Sequence, residues 1–229
     1  MRGRAKNFIK TKKSKNKEKV RKLISFQEQD DFTPEFQLDY GKTCVEFTKF
    51  IKGFDFMWED GWFKRNYGKI KRFSLSDESI LLIGETGTGK EVISRLIHFQ
   101  SKRKEKAFHP LNCSSLNNEL LYCELFGHEK GAFTSADRKR EGILKSSDGG
   151  TVFLDEIQSS SRSFQQVLLR FLDYGEIKPL GSDKIERVDI RIITACCTSP
   201  EELLSEGKLL KPFYYRISKL NLYIPPLRE

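Results

Sequence analysis

Two short runs carry the residue types that chemistry on phosphates needs. The first is Gly84-Glu85-Thr86-Gly87-Thr88-Gly89-Lys90-Glu91. Glycines at this density let consecutive backbone N–H groups turn inward on an anion. Lys90 adds a full positive charge for the outer phosphates. Glu91 stands where most loops of this kind place a Ser or Thr for magnesium. The second run is Gly149-Gly150-Thr151-Val152-Phe153-Leu154-Asp155-Glu156, an apolar stretch ending in two adjacent carboxylates. Side chains alternate along a strand, so the two point differently. Asp155 is assigned to magnesium, and Glu156 to orienting and deprotonating an attacking water. A bare Asp-Glu pair is usually solvated surface. Here it gains weight from the apolar strand before it and the phosphate loop upstream.

Strands and helices must hold these runs in place. Ser79–Ile83 is a short apolar run with the look of a buried strand, and Val92, Ile93, Leu96 and Ile97 follow at helical spacing. Strand, glycine turn and helix are the context in which a helix N-terminus adds its partial positive charge to a phosphate site. Further strands are predicted over Phe108–Leu111, Thr151–Leu154, Val188–Ala195 and Leu220–Ile224. The clearest helix between them carries Phe164, Val167, Leu168, Phe171 and Leu172. That alternation predicts an α/β fold, a parallel sheet covered on both faces. Ligands in such sheets sit at the carboxyl ends of the strands, which is where the glycine loop falls.

The chain has 229 residues, 38% hydrophobic and 32% charged, enough for one substantial globular domain with appendages. No apolar run is long enough to span a bilayer. The N-terminus is charged, so no secretory leader is read there, and a cytoplasmic protein is expected. Cys44, Cys113, Cys123, Cys196 and Cys197 form no CxxC pair and no ligand spacing with His98, His109 or His128. They read as reduced, mostly buried thiols.

The net charge of +9 is unevenly placed. Residues 1–22 carry eleven bases against the single acid Glu18, so the rest of the chain is near neutral. Residues 1–40 read as a basic arm without a fold, solvated and self-repelling or touching nucleic-acid phosphates. Residues 41–78 form an aromatic-rich leading segment. In it Phe47, Phe50, Ile51 and Phe54 share one helical face, expected to pack on the domain that follows. The roughly 75 residues before the first strand are too few for a separate sensing domain, which usually needs ~100 or more.

The two motifs together point to an AAA+ or a related ATPase. The stretch between them narrows the resemblance. Glu124-Leu125-Phe126-Gly127-His128-Glu129-Lys130-Gly131-Ala132-Phe133-Thr134-Ser135-Ala136 closely resembles the ELFGHEKGAFTGA signature of bacterial sigma-54-dependent transcription activators, the NtrC-like enhancer-binding proteins. The Glu91-ending loop is also that family's form. Asn112-Cys113, Gln166-Val167-Leu168-Leu169-Arg170, Tyr214-Tyr215-Arg216 and Pro225-Pro226-Leu227-Arg228-Glu229 match further family runs, so the resemblance covers about residues 79–229.

The resemblance implies a three-layer P-loop NTPase core of the AAA+ type at residues 79–229. It also implies ATP and Mg²⁺ as cofactors, and a hexameric ring with ATP between subunits. Gly131, Ala132, Phe133, Thr134, Ser135 and Ala136 would form the loop that contacts sigma-54, with Phe133 and Thr134 at its tip. Hydrolysis would then remodel the closed complex of RNA polymerase holoenzyme on promoter DNA. Asn112 would be the switch residue holding Glu156, and Arg216 an arginine finger reaching a neighbour's nucleotide.

Departures from the family pattern bear on the same residues. Ser135 replaces a loop-tip glycine. Cys197 falls where a sensor asparagine is usual, and a thiol is a poor substitute for a planar amide. Leu210 falls where the first of two arginines stands. The run stops at Glu229, before the helical lid, so the chain reads as a truncated piece of a longer activator. These departures motivate an alternative expectation, a nucleotide-binding regulatory or interaction protein whose coupling to sigma-54 is degenerate. A third expectation has the basic arm bind nucleic acid directly and the ATPase act on it.

Overall fold

A computed structural model describes residues 61–133 and 136–226. The expected basic arm and the Phe47–Phe54 helical face lie outside the described residues, as do Thr134, Ser135 and Leu227–Glu229 of the motif runs.

The leading segment contributes helix α1 (Gly61–Leu75). Then come β1 (Ile80–Ile83), α2 (Lys90–Phe99) and β2 (Phe108–Asn112). Helix α3 (Asn118–Phe126) leads into the short hairpin β3 (Gly127–His128) and β4 (Arg140–Glu141). The one-turn helix α4 (Ile143–Ser146) precedes β5 (Thr151–Asp155), a 3₁₀ turn over Ile157–Ser159, and α5 (Arg162–Tyr174). A second hairpin, β6 (Glu176–Ile177) and β7 (Glu186–Arg187), is followed by β8 (Arg191–Cys196). Helices α6 (Pro200–Ser205) and α7 (Lys211–Ile217) and strand β9 (Leu220–Tyr223) complete the order.

Five strands make one parallel sheet in the order β2-β5-β8-β1-β9. The three central strands are buried almost throughout, as strands covered on both faces must be. Alternation divides them between two cores. Leu81, Ile83, Val152, Leu154 and Ile192 face Leu121, Leu125, Leu168 and Phe213, from α3, α5 and α7. Ile80, Leu82, Phe153, Ile193 and Ala195 face Phe63 and Ile70 of α1 and Ile93 and Ile97 of α2. This is the expected three-layer P-loop NTPase core. Among the described residues no helix is long and apolar enough to cross a membrane.

Two strands differ from their expected ranges. The expected strand Val188–Ala195 starts at Arg191. Val188 and Asp189 are apolar-adjacent in sequence, but their backbone bonds go elsewhere. Val188 N donates to the Gly175 carbonyl at 3.0 Å, and the Asp189 carbonyl accepts from Gly149 N at 2.8 Å. Leu220–Ile224 shortens by one residue, although Ile224 N still bonds the Ile83 carbonyl at 2.7 Å.

Arg191 is a polar anomaly at this end of the sheet, 1% exposed. Its guanidinium caps the last turn of α1 through the Phe73 and Ser74 carbonyls, at 2.5 and 3.2 Å. Burial pushes its pKa down to about 10. Arg103 joins the same region, reaching Asp77 at 2.9 Å and Asp189 at 2.8 Å. The leading helix is thereby fastened to the sheet by charge as well as by Phe63 and Ile70.

Candidate nucleotide site

The glycine run leaves β1 at its carboxyl end and turns directly into α2. Gly84 N donates to the Cys196 carbonyl of neighbouring β8 at 3.2 Å. Gly84 sits against the end of β9: an added Cβ would lie 2.5 Å from the Ile224 carbonyl oxygen. Gly87 and Gly89 take positive φ, 85° and 84°, to complete the turn. Thr88 Oγ1 donates to the Glu85 carbonyl at 2.9 Å.

Lys90, only 6% exposed, begins α2 and folds back over the loop. Its Nζ donates to the Gly84 and Glu85 carbonyls at 2.8 and 2.9 Å. A buried ammonium held only by neutral carbonyls beside a helix N-terminus is an anion site by its electrostatics. Glu91 turns outward and pairs with Arg95 at 2.6 Å, one helical turn on.

β5 delivers Asp155 to the same end of the sheet, one strand beyond β8. Asp155 Oδ1 accepts from Glu156 N at 2.9 Å. Burial raises the Asp155 pKa above the usual carboxylate range; the Glu156 N–H bond and the charge of Lys90 pull it back. Glu156 is the sole non-glycine residue of positive φ among those described, at 51°. Such a backbone costs roughly 1 kcal/mol or more and tends to persist at functional sites. The Lys90 ammonium and the partly buried Asp155 carboxylate, near enough for the one to act on the other's charge, fit a triphosphate with its divalent metal.

Asn112 ends β2 directly opposite Asp155 in the ladder. Its Oδ1 accepts from Ser114 N and from Ser114 Oγ, both at 2.8 Å, so the amide oxygen is committed to Ser114. Cys113 follows it, with burial pushing its thiol up to about 12. Arg216 is not brought to this site. It projects from α7, half exposed, and pairs with Asp173 of α5 at 2.5 Å.

The loop between β3 and β4 is anchored at its base. Gly131 N and the Ala136 carbonyl close at 2.9 Å. Phe133 packs edge-on against His128, ring centroids 4.9 Å apart. Leu180, between β6 and β7, brackets the base, accepting from Glu129 N and donating to the Gly127 carbonyl at 2.9 Å each. Sequence reading did not foresee this bracket.

Beside the phosphate loop lies a cleft of about 390 Å³, in the size range of small-molecule sites. Trp62, Glu85, Thr198, Tyr223, Ile224 and Pro225 line it, together with Cys197. Its lining is largely apolar. Trp62 belongs to the aromatic-rich leading segment, which was the available signal. Its place at a ligand cleft was not foreseen. The four described cysteines are free thiols, three of them buried, and no metal-binding cluster of His, Cys, Asp or Glu occurs among the described residues.

Residues 57–223 match the family model described as "Sigma-54 interaction domain". The chain is 48% identical over 160 residues to the Nif-specific regulatory protein of Klebsiella pneumoniae, covering 70% of this chain and 30% of that protein. It is 44% identical over 166 residues to the Azotobacter vinelandii protein of the same name, covering 72% of this chain and 32% of that one. The luminescence regulatory protein LuxO of Vibrio campbellii is 42% identical over 163 residues, covering 71% of this chain and 36% of its own length. The chain thus spans about a third of the length of the curated relatives it matches. The crystal structure of NtrX from Brucella abortus in complex with ADP superposes with a TM-score of 0.66 at 29% identity, over 72% of this chain and 35% of that chain.

Proposed function

The chain belongs to the sigma-54 interaction domain family, and on that premise we propose that it is the ATP-hydrolysing core of an activator of sigma-54 RNA polymerase. The observation that carries this reading is the convergence of Lys90, held at 2.8 and 2.9 Å on its own loop, with Asp155 at the carboxyl ends of the central strands.

In this reading the loop N–H groups and Lys90 bind the phosphates of ATP, and Asp155 holds Mg²⁺. Bound there, Mg²⁺–ATP supplies an activated phosphoryl group and neutralises its charge. Glu156 takes the proton of the attacking water. Asn112 is the switch that reaches Glu156 after releasing Ser114. Arg216, once free of Asp173, serves a neighbour's nucleotide in trans, which makes hydrolysis depend on a hexameric ring. Gly131–Ala136, with Phe133 freed from His128, contact sigma-54. The activator then remodels the closed complex of holoenzyme and promoter DNA in the cytoplasm.

The second reading is a regulatory subunit that binds nucleotide without driving sigma-54. Two observations favour it. Cys197 brings a thiol to the cleft, and Leu210 is packed against the core as the N-cap of α7 with no charge to offer.

Binding to sigma-54 in the presence of an ATP transition-state analogue tests the first reading. The wild-type chain is expected to bind only with the analogue, and Glu156→Gln to bind ATP while losing hydrolysis by ~10²-fold or more. Hydrolysis without sigma-54 binding would favour the second reading.

A further inference from the structure

Gln158 occupies a position that the chemistry so far does not use. It lies on the 3₁₀ turn immediately after Glu156, whose carbonyl accepts from Ser159 N at 2.9 Å to close that turn. Its Nε2 donates to Cys197 Sγ at 3.0 Å, just past the end of β8. Its Oε1 is buried and has no hydrogen-bond partner among the described residues. A thiol is both a weak donor and a weak acceptor, so exchanging the two ends of the amide would still leave one pole unpartnered. An unpaired buried amide pole is costly, and such groups in folded proteins ask for a reason.

Its location supplies one. Gln158 bridges the carboxyl ends of adjacent strands β5 and β8. On one side the bridge runs through Ile157 to Glu156. On the other it runs through Cys197 to Cys196, whose carbonyl holds Gly84 N at 3.2 Å. Cys197 also lines the cleft beside Gly84 and Glu85. One side-chain amide therefore ties the turn carrying Glu156 to the first residue of the phosphate loop.

We propose that Gln158 is a positioning residue for hydrolysis. Its amide, tethered to Cys197, couples the outer-phosphate end of the loop to Glu156, and its unpartnered pole finds its partner when that end is filled. This rests on the nucleotide-site reading above. It assigns the work of a carboxamide at the end of β8 to a side chain from the neighbouring turn, with the thiol as its anchor.

The test separates ATP from ADP on the 229-residue chain, by equilibrium binding of each nucleotide with Mg²⁺ and by steady-state hydrolysis. Gln158→Ala is expected to reduce the preference for ATP over ADP by about tenfold while leaving ADP affinity within about twofold, and to lower kcat more than it raises KM. Cys197→Ala removes the tether from the other side and should do the same, which keeps the test available if Gln158→Ala fails to fold. Gln158→Ala combined with Cys197→Asn restores an amide and should recover most of the discrimination. An unchanged ATP-to-ADP ratio in both single variants would overturn the proposal, whether or not the wild-type chain hydrolyses ATP. Wild-type hydrolysis that is absent, with the ratio still sensitive to Gln158, would count against the ATPase reading and overturn the positioning role in hydrolysis, while supporting the coupling of Gln158 to the filled phosphate end.

Discussion

Arg216 Nε lies 2.5 Å from Asp173 Oδ1, so the cation proposed to serve a neighbour's nucleotide is held by a carboxylate of its own protomer. The pair joins α7 to α5 on the face opposite the leading helix. Half of the Arg216 side chain is exposed, and a solvent-facing pair of this kind is worth ~0–1 kcal/mol. The hold is weak enough for an assembling neighbour to break.

Arg216→Ala is therefore expected to lower kcat by ~10³-fold if the finger acts in trans. Asp173→Asn should leave thermal stability within ~0.5 kcal/mol and shift the onset of activity to lower protein concentration. Steady-state ATPase assays across a dilution series, with chemical denaturation alongside, check both. An Arg216→Ala chain with wild-type kcat would reduce the residue to a surface ion pair.

Lys90→Ala removes the buried ammonium from the Gly84 and Glu85 carbonyls. ATP affinity should fall by ~100-fold or more, through loss of the charge that would meet the phosphates. Titration with a fluorescent ATP analogue measures it. Affinity within a few-fold of wild type would remove Lys90 from the phosphate site.

Gly181 takes φ 75°, and an added Cβ would stand 2.9 Å from Ala132 Cβ. Gly181→Ala should cost ~1 kcal/mol or more from the backbone alone and push the base of the 131–136 loop aside. The expected outcome is weakened sigma-54 binding with ATPase within ~2-fold of wild type, since the hairpin touches the loop and not the phosphate site. Equal losses in both would mean that the loop base supports the whole domain.

His98 is buried on α2, with Nδ1 2.9 Å from Thr151 Oγ1, and burial pushes its pKa from 6.5 down to about 4. The unfolded chain takes up this proton first as pH falls. Stability is therefore fully present above pH 6.5 and is lost as pH falls from 6.5 to about 4, with a slope of up to ~1.4 kcal/mol per pH unit. His98→Gln keeps a hydrogen-bonding group and does not titrate, so its urea-unfolding free energy should be flatter between pH 6.5 and 5. An identical pH dependence in the two chains would assign the acid loss to other groups.

The sheet was legible because its three central strands are continuous apolar runs punctuated by glycine, and because α5 repeats its apolar residues at helical spacing. Both are local signals. The early start predicted for β8 came from the apolar Val188 and Ile190, but the Val188 N–H goes to distant Gly175 and the intervening Asp189 carbonyl takes the N–H of Gly149. Lys90 and Asp155 were legible because each stands inside its own motif. The Trp62 cleft was not, since residues 62 and 223 meet only after the leading helix docks on the sheet. Gln158 and Cys197 stand 39 positions apart, and neither advertises the other. Thr134 and Ser135, read as the partner-contacting tip and its departure from pattern, lie outside the described residues.

The central claim is that this chain hydrolyses ATP with an arginine supplied by a neighbour. The most direct measurement is the hydrolysis rate per subunit as a function of protein concentration, on the 229-residue chain with Mg²⁺ and saturating ATP. With the arginine acting in trans, the rate climbs steeply as subunits assemble and collapses in Arg216→Ala. A flat, near-zero rate with ATP still bound would contradict it, leaving a nucleotide-binding regulatory domain in place of an ATPase.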